Sequence, residues 1–234
     1  MKNFTATAFF CLLSTGVTLA QTAPQVRNVA SFHAVEVGSG VELRLVSGIT
    51  QRVEARADDA DQLERLTTEV HDGVLEISFD RAWAESLGLK NVRHLLVNVT
   101  ATSLTALHAS SGAHVEVVGA SFATQDLDVA VSSGATLRAN FTSTDLRAKV
   151  SSGGVATLAG TAQRLDVGAS SGGVFKGSEL TARACEANAS SGGTVAVAVQ
   201  ETLTAQASSG GDVRYFGSPR VSKHTSSGGS VKGR

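Results

Sequence analysis

The tripeptide Ser-Ser-Gly begins at Ser110, Ser132, Ser151, Ser170, Ser190, Ser208 and Ser226, in steps of 22, 19, 19, 20, 18 and 18 residues. Recurrence at nearly constant spacing is the mark of a stacked repeat architecture, in which each unit buries its apolar face only against its neighbours. From Ser151 onward the motif lengthens to Ser-Ser-Gly-Gly. Paired glycines at one position suit a corner where the backbone takes positive φ or approaches another strand closely.

Aligning the repeats on the first serine exposes the strands. Five residues before it stand Leu127, Leu146, Leu165, Cys185, Leu203 and Val221; three before it, Val129, Ala148, Val167, Ala187 and Ala205; one before it, Val131, Val150, Ala169, Ala189 and Ala207. Between these apolar columns lies a polar one, Asp128, Arg147, Asp166, Glu186, Thr204 and Ser222. After the corner the alternation resumes with Val115 and Val117, Leu137 and Ala139, Ala156 and Leu158, Val195 and Val197, Val213 and Tyr215, interleaved with Glu116, Arg138, Thr157, Lys176 and Arg214. Period-two alternation marks strands with one buried face. The expected fold is therefore all-β: a parallel β-helix, or β-solenoid, with two main strands and two corners per coil of about 18–22 residues. The crossover rule makes it right-handed. Seven coils at the strand spacing of about 4.8 Å give a column roughly 30–35 Å long.

The part before the repeats is less regular. Val35, Val37, Gly38-Ser39-Gly40, Leu43 and Leu45 keep the alternation around a degenerate corner, which starts the solenoid near Val26. Asp58 to Leu66, opened by Asp58, Asp59 and Asp61, reads as a short helix. Thr67 to Phe79 reads as a hairpin turning at Asp72-Gly73. Residues 80–91, with Trp83, read as a loop before the strand pattern returns at 92–99. This segment is placed to cap one end of the column. The organisation is thus a leader over 1–20 and a solenoid domain over 26–234, irregular over 26–100 and regular over 101–234.

The leader follows from Lys2, the apolar stretch Ala8 to Leu13 and the small residues Thr18-Leu19-Ala20 before Gln21, the pattern of a secretory signal cleaved after Ala20. That stretch is shorter than the roughly 20 apolar residues of a membrane span. Cys11 lies inside it and not at a lipidation site. Export directs the protein to the periplasm, the cell surface or the medium. Losing Lys2 moves the formal net charge from −1 to −2, which leaves no basic field for nucleic acid. Cys185 is then the sole cysteine, so no internal disulfide forms despite an oxidising compartment.

Several features resemble the GIN domain family (DUF2807, the auto-transporter adhesin head domain). They are Phe32-x-x-Val35-x-Val37-x-Ser39-Gly40-Val41, then Asp72-Gly73-x-Leu75-x-Ile77, then the repeated Ser-Ser-Gly-Gly, and finally Val213-x-Tyr215-x-Gly217-x-Pro219 before the corner at Ser226. The likeness spans residues 26–234. It implies a right-handed β-helix in an exported bacterial envelope protein. The family more often carries Ser-Gly-Ser-Gly at its corners, which supplies the same small residues and glycine to one turn.

The residues do not assemble a catalytic pattern. A nucleophilic serine needs a base and an orienting group, whereas the serine pairs occupy equivalent corners and read as stacked hydroxyls bonding to each other and to corner amides. Polysaccharide-cleaving solenoids gather carboxylates on one face, whereas Asp128, Arg147 and Asp166 alternate in sign and read as a weak salt-bridge ladder. Of outward aromatics suited to sugar stacking, Phe216 alone is clearly placed among the repeats. His108 and His114 flank the first corner, too few to make a metal site. Cys185 falls in an inward column and reads as a small buried hydrophobe. In the last coil Lys223 and Thr225 take inward positions, as a cap or a docking edge. No catalytic residue, cofactor or metal ligand is assigned. The expected function is a non-enzymatic, adhesin-like surface-binding domain, with a surface glycan or envelope protein as partner class. A carbohydrate-active β-helix enzyme and a structural envelope spacer are the alternatives.

Overall fold

The computed structural model describes residues 23–80 and 94–234. The leader at 1–20 and most of the expected loop with Trp83 lie outside them. Within them the regular structure is nearly all β, wound as a β-solenoid of about seven turns with one short helix.

Four long strands form its regular part: β11 (Thr136–Val150), β12 (Val155–Ala169), β13 (Val174–Ala189) and β14 (Thr194–Ala207). Each is one coil, paired in parallel with the next. The expected two strands per coil are here one continuous strand that bends. In β11 the buried positions shift from odd to even numbers past Thr144 and Asp145, which both face outward. Two successive outward residues turn the strand without ending its ladder. The 20-residue step between Ser170 and Ser190 is absorbed by register shifts between Thr157 and Ala159 and between Gly177 and Thr181, as a bulge absorbs an extra residue.

The corners are two-residue turns. In each, the second serine and the following glycine both take positive φ, as at Ser171 (48°) and Gly172 (72°), and the fourth residue donates back to the first serine carbonyl, as Gly173 N does to Ser170 O at 2.8 Å. This is a type I′ turn. The glycine amide in the middle then donates to the serine carbonyl of the next coil: Gly112 to Ser133, Gly134 to Ser152, Gly153 to Ser171, Gly172 to Ser191, Gly192 to Ser209 and Gly210 to Ser227, all at 3.0–3.2 Å. The expected hydroxyl ladder is replaced by this backbone ladder. With both central residues at positive φ the second serine projects into solvent, and the other corner amides, as at Ser170, Gly172 and Gly173, are already taken by carbonyls.

The fourth residue is glycine for a different reason. A Cβ on Gly193 would lie 2.3 Å from the Ala169 carbonyl oxygen of the preceding coil, and one on Gly173 2.4 Å from that of Val150. Neither glycine has positive φ; close approach alone excludes the side chain.

The first part of the chain is stacked out of sequence order. Strands β2 (Ala34–Val37) and β3 (Glu42–Ser47), joined by Gly38-Ser39-Gly40, form one coil. It lies between the coil of β6 (Val74–Phe79) and β7 (Leu96–Ala101) and the coil of β8 (Ala106–Ala109) and β9 (His114–Val118). β10 (Phe122–Val131) then leads from β8 into β11. Outside the β6/β7 coil, β5 (Leu66–His71) pairs antiparallel with β6 across the expected Asp72-Gly73 turn, and β4 (Arg52–Arg56) pairs antiparallel with β7. β1 (Gln25–Arg27) adds antiparallel to β4. Residues near Val26 thus belong to an antiparallel cap, and parallel stacking begins at β2.

The expected helix appears as α1 (Ala60–Arg65). Asp59 caps it, accepting from Gln62 N at 2.8 Å and from Gln62 Nε2 at 2.7 Å. Arg27 closes its other end by donating to the carbonyls of Leu63 and Leu66, groups with no partner inside the helix. Burial lowers the Arg27 pKa below its usual value. At the opposite end, β15 (Asp212–Phe216) pairs with β17 (Ser230–Gly233), and β16 (Arg220–Thr225) pairs with β14.

The two glycine roles separate experimentally. Gly193→Ala should lower the free energy of unfolding by about 1–3 kcal/mol, the usual cost of overpacking. Gly192→Asn, at a positive-φ site open to solvent, should change it by less than about 1 kcal/mol because asparagine tolerates this conformation. Urea unfolding followed by circular dichroism measures both, and equal losses would contradict the distinction.

Candidate functional site: a trough along the coils

The strands that precede the corners hold their rows in strict register. Leu127, Leu146, Leu165, Cys185, Leu203 and Val221 stack as the inward row, with the first five buried. Two outward rows flank it. One is the row read from the sequence: Asp128, Arg147, Asp166, Glu186, Thr204 and Ser222. The other, two residues earlier, runs Asp126, Asp145, Arg164, Ala184 and Thr202. Between them, across four coils from β11 to β14, lies an open trough of about 330 Å³, walled by Asp145, Arg147, Arg164, Asp166 and Glu186. Ala184, Thr202 and Thr204 line the end where the charges stop.

The electrostatics differ from the expected ladder. Among the described residues no ion pair joins Asp128 to Arg147 or Arg147 to Asp166. Asp128 instead meets His108 of the preceding coil at 3.1 Å, and Arg164 forms a two-pronged pair with Asp145. Hydrogen bonding from Arg164 lowers the Asp145 pKa, helped by the charges of Arg164 and Arg147; the same pair raises that of Arg164. Arg147 has carboxylates on both neighbouring strands and acts on Asp145 as well, so fixing it to one partner gains little at an exposed site.

Cys185 lies under this trough, 6% exposed, in the inward row where the sequence places it. Burial, and then the nearby charges of Asp166 and Glu186, push its thiol up to about 12. It is a protonated, apolar filler and not a nucleophile, since the thiolate is the reactive form. His108 and His114 are separated by the corner: His108 faces Asp128, and His114 Nδ1 bonds to the Thr136 hydroxyl. Among the described residues no three of His, Cys, Asp and Glu gather as metal ligands. Phe216 is half-buried in β15. No described helix is long and apolar enough to cross a membrane.

The second wall of the trough went unread in the sequence. Its signal was present, because the alternation breaks six residues before the corner, where Asp145 and Arg164 each follow another outward residue.

The fold and this surface define a capped β-solenoid that presents a grooved, regular outer face. The chain belongs to the DUF2807 family, described as "Putative auto-transporter adhesin, head GIN domain", whose profile matches residues 31–219. Among solved structures it is similar to a "putative adhesin" from Bacteroides fragilis NCTC 9343, with a TM-score of 0.80 at 19% identity over 94% of this chain and 100% of that one. A "putative adhesin" from Parabacteroides distasonis ATCC 8503 gives 0.67 at 19% identity, over 91% and 96%. A "putative lipid binding protein" from the same organism gives 0.63 at 21%, over 90% and 96%. No protein of curated function matches in sequence.

The raised Cys185 pKa sets a direction for stability. The unfolded thiol, near 9.0, ionises before the folded one, so stability is full below about pH 9 and falls as pH rises toward about 12. Between pH 8 and pH 10 the wild type should lose about 1 kcal/mol that Cys185→Val does not, at 1.36 kcal/mol per unit. Parallel urea melts measure this. Rapid labelling of native Cys185 by a thiol reagent at pH 8 would show instead that the side chain is not inward.

Proposed function

We propose that this is an exported envelope protein that acts without catalysis, its rigid stacked face binding components of a cell surface, with glycans or envelope proteins as partner class. One observation carries this reading: four consecutive coils hold the outward rows before their corners in register and present polar and charged side chains along one face. Adhesion needs such a pre-formed, extended surface, because rigid contact residues lose little entropy on binding. Membership of an adhesin head family supports it, as does the export pattern of residues 1–20. In the trough the Asp145–Arg164 pair ties down one acidic and one basic group that acid–base chemistry would need free and poised.

The purified protein on a glycan array, and in parallel with a panel of acidic polysaccharides assayed for cleavage, tests the proposal. Retention on one or more glycans with no released product is the expected outcome. Product release without retention would overturn it in favour of a carbohydrate-active enzyme, and inertness in both assays would favour an envelope spacer. Cell fractionation should find the mature chain outside the cytoplasm, shortened at Ala20.

A further inference from the structure

The strands that follow the corners carry a row of their own, two residues past the start of each strand: Arg138, Thr157, Lys176, Ala196, Arg214 and Lys232 stand in register from coil to coil. A cation falls on every second coil from Arg138 to Arg214, about 10 Å apart at twice the strand spacing, and Lys232 follows directly. All four are exposed. Among the described residues, Arg138, Lys176 and Lys232 form no ion pair, while Arg214 meets Asp212 at 2.7 Å. Besides Asp212, carboxylates border the run at Glu116, opposite Arg138, and at Glu179, opposite Ala159. Between the cations, Thr157 and Ala196 are short and half-buried. Beside them runs a second row, Thr136, Val155, Val174, Thr194 and Asp212, half-buried throughout. From Arg138 to Ala196 the face therefore offers a lane with a strip of threonine and valine along one side and a cation on every second coil, and at Arg214 the next cation is met by Asp212.

We propose that this lane binds a linear acidic polysaccharide bearing one carboxylate per disaccharide. Two pyranose rings of an extended chain span the distance between successive cations, so each carboxylate meets one cation while the C–H faces of the rings lie on Val155 and Val174. The proposal rests on the surface-binding function above and names its ligand class. Nucleic acid fits worse: its phosphates recur at a shorter interval, and the lane lacks the aromatic platforms that hold single strands.

Affinity electrophoresis through gels containing hyaluronan, a polymer of one carboxylate per disaccharide, tests it. The wild type should be retarded, less so as salt is raised, and not at all by carboxyl-reduced hyaluronan. Arg138→Gln/Lys176→Gln/Lys232→Gln should weaken retardation about tenfold, in line with the loss of three exposed charge contacts. Lys149→Gln/Arg220→Gln/Lys223→Gln, the same charge change on the strands before the corners, should leave it intact. All six positions are exposed, and matching thermal melts would show each variant folded. Equal loss in both variants, equal binding of the neutral polymer, or stronger retention of an oligothymidylate would overturn the proposal. If wild type and lane variant bind a neutral glycan equally on the array and hyaluronan retards neither, the surface-binding function stands and the lane falls. If the wild type binds no glycan of either kind, both fall.

Discussion

Everything else in this protein depends on how one coil's backbone hands over to the next at the corner. Ser171 and Gly172, and their equivalents, sit at positive φ, which costs a serine more than most conformations do. In return the glycine amide reaches the neighbouring serine carbonyl, and this bond repeats from Gly112 to Ser227. Because that bond joins equivalent atoms of successive coils, it sets their register, and a slip of one residue would turn every inward side chain outward. The second glycine then lets coils close to a distance no side chain allows. Ala113 and Ala135 hold that position in the first two corners, fully buried, so this close approach develops only from the third corner onward.

A stack with fixed register has two ends, and they are managed differently. At the first end the chain reverses: β4 and β5 run antiparallel to the coil they cover, and α1 joins them, held by Asp59 at one terminus and Arg27 at the other. The other end stays parallel. There Lys223 occupies the inward register position opposite Ala205 yet lies exposed, as does Thr225, because no further coil covers it. A charge at an inward position of a short edge strand opposes the addition of another strand.

The regular coils were legible in the sequence because every rule they obey is local and repeated. Leu146, Leu165, Cys185 and Leu203 announce their shared row by offset from the corner, and the structure keeps that offset. What was not legible is long-range. Nothing local in Val35-x-Val37 tells that its coil is inserted between strands some forty and seventy residues further on; that depends on the antiparallel cap. Side-chain pairing was equally hidden. Arg147 and Arg164 both have aspartates as row-mates, and only the surrounding charges decide that Arg164 pairs while Arg147 stays shared.

Backbone bonds and inward alanine, valine and leucine supply the cohesion, so the outward rows carry little of it. Exposed ion pairs contribute at most about 1 kcal/mol each, and the trough and the lane are built from such residues. Their side chains can change with small effect on the fold, while the strand spacing that positions them cannot. The scaffold therefore imposes a ruler of about 4.8 Å on whatever charges occupy its faces. Alternating occupancy, with a cation at Arg138, Lys176 and Arg214 and short residues at Thr157 and Ala196, doubles that ruler. Charge spacing is then a property written in the sequence but measured by the backbone.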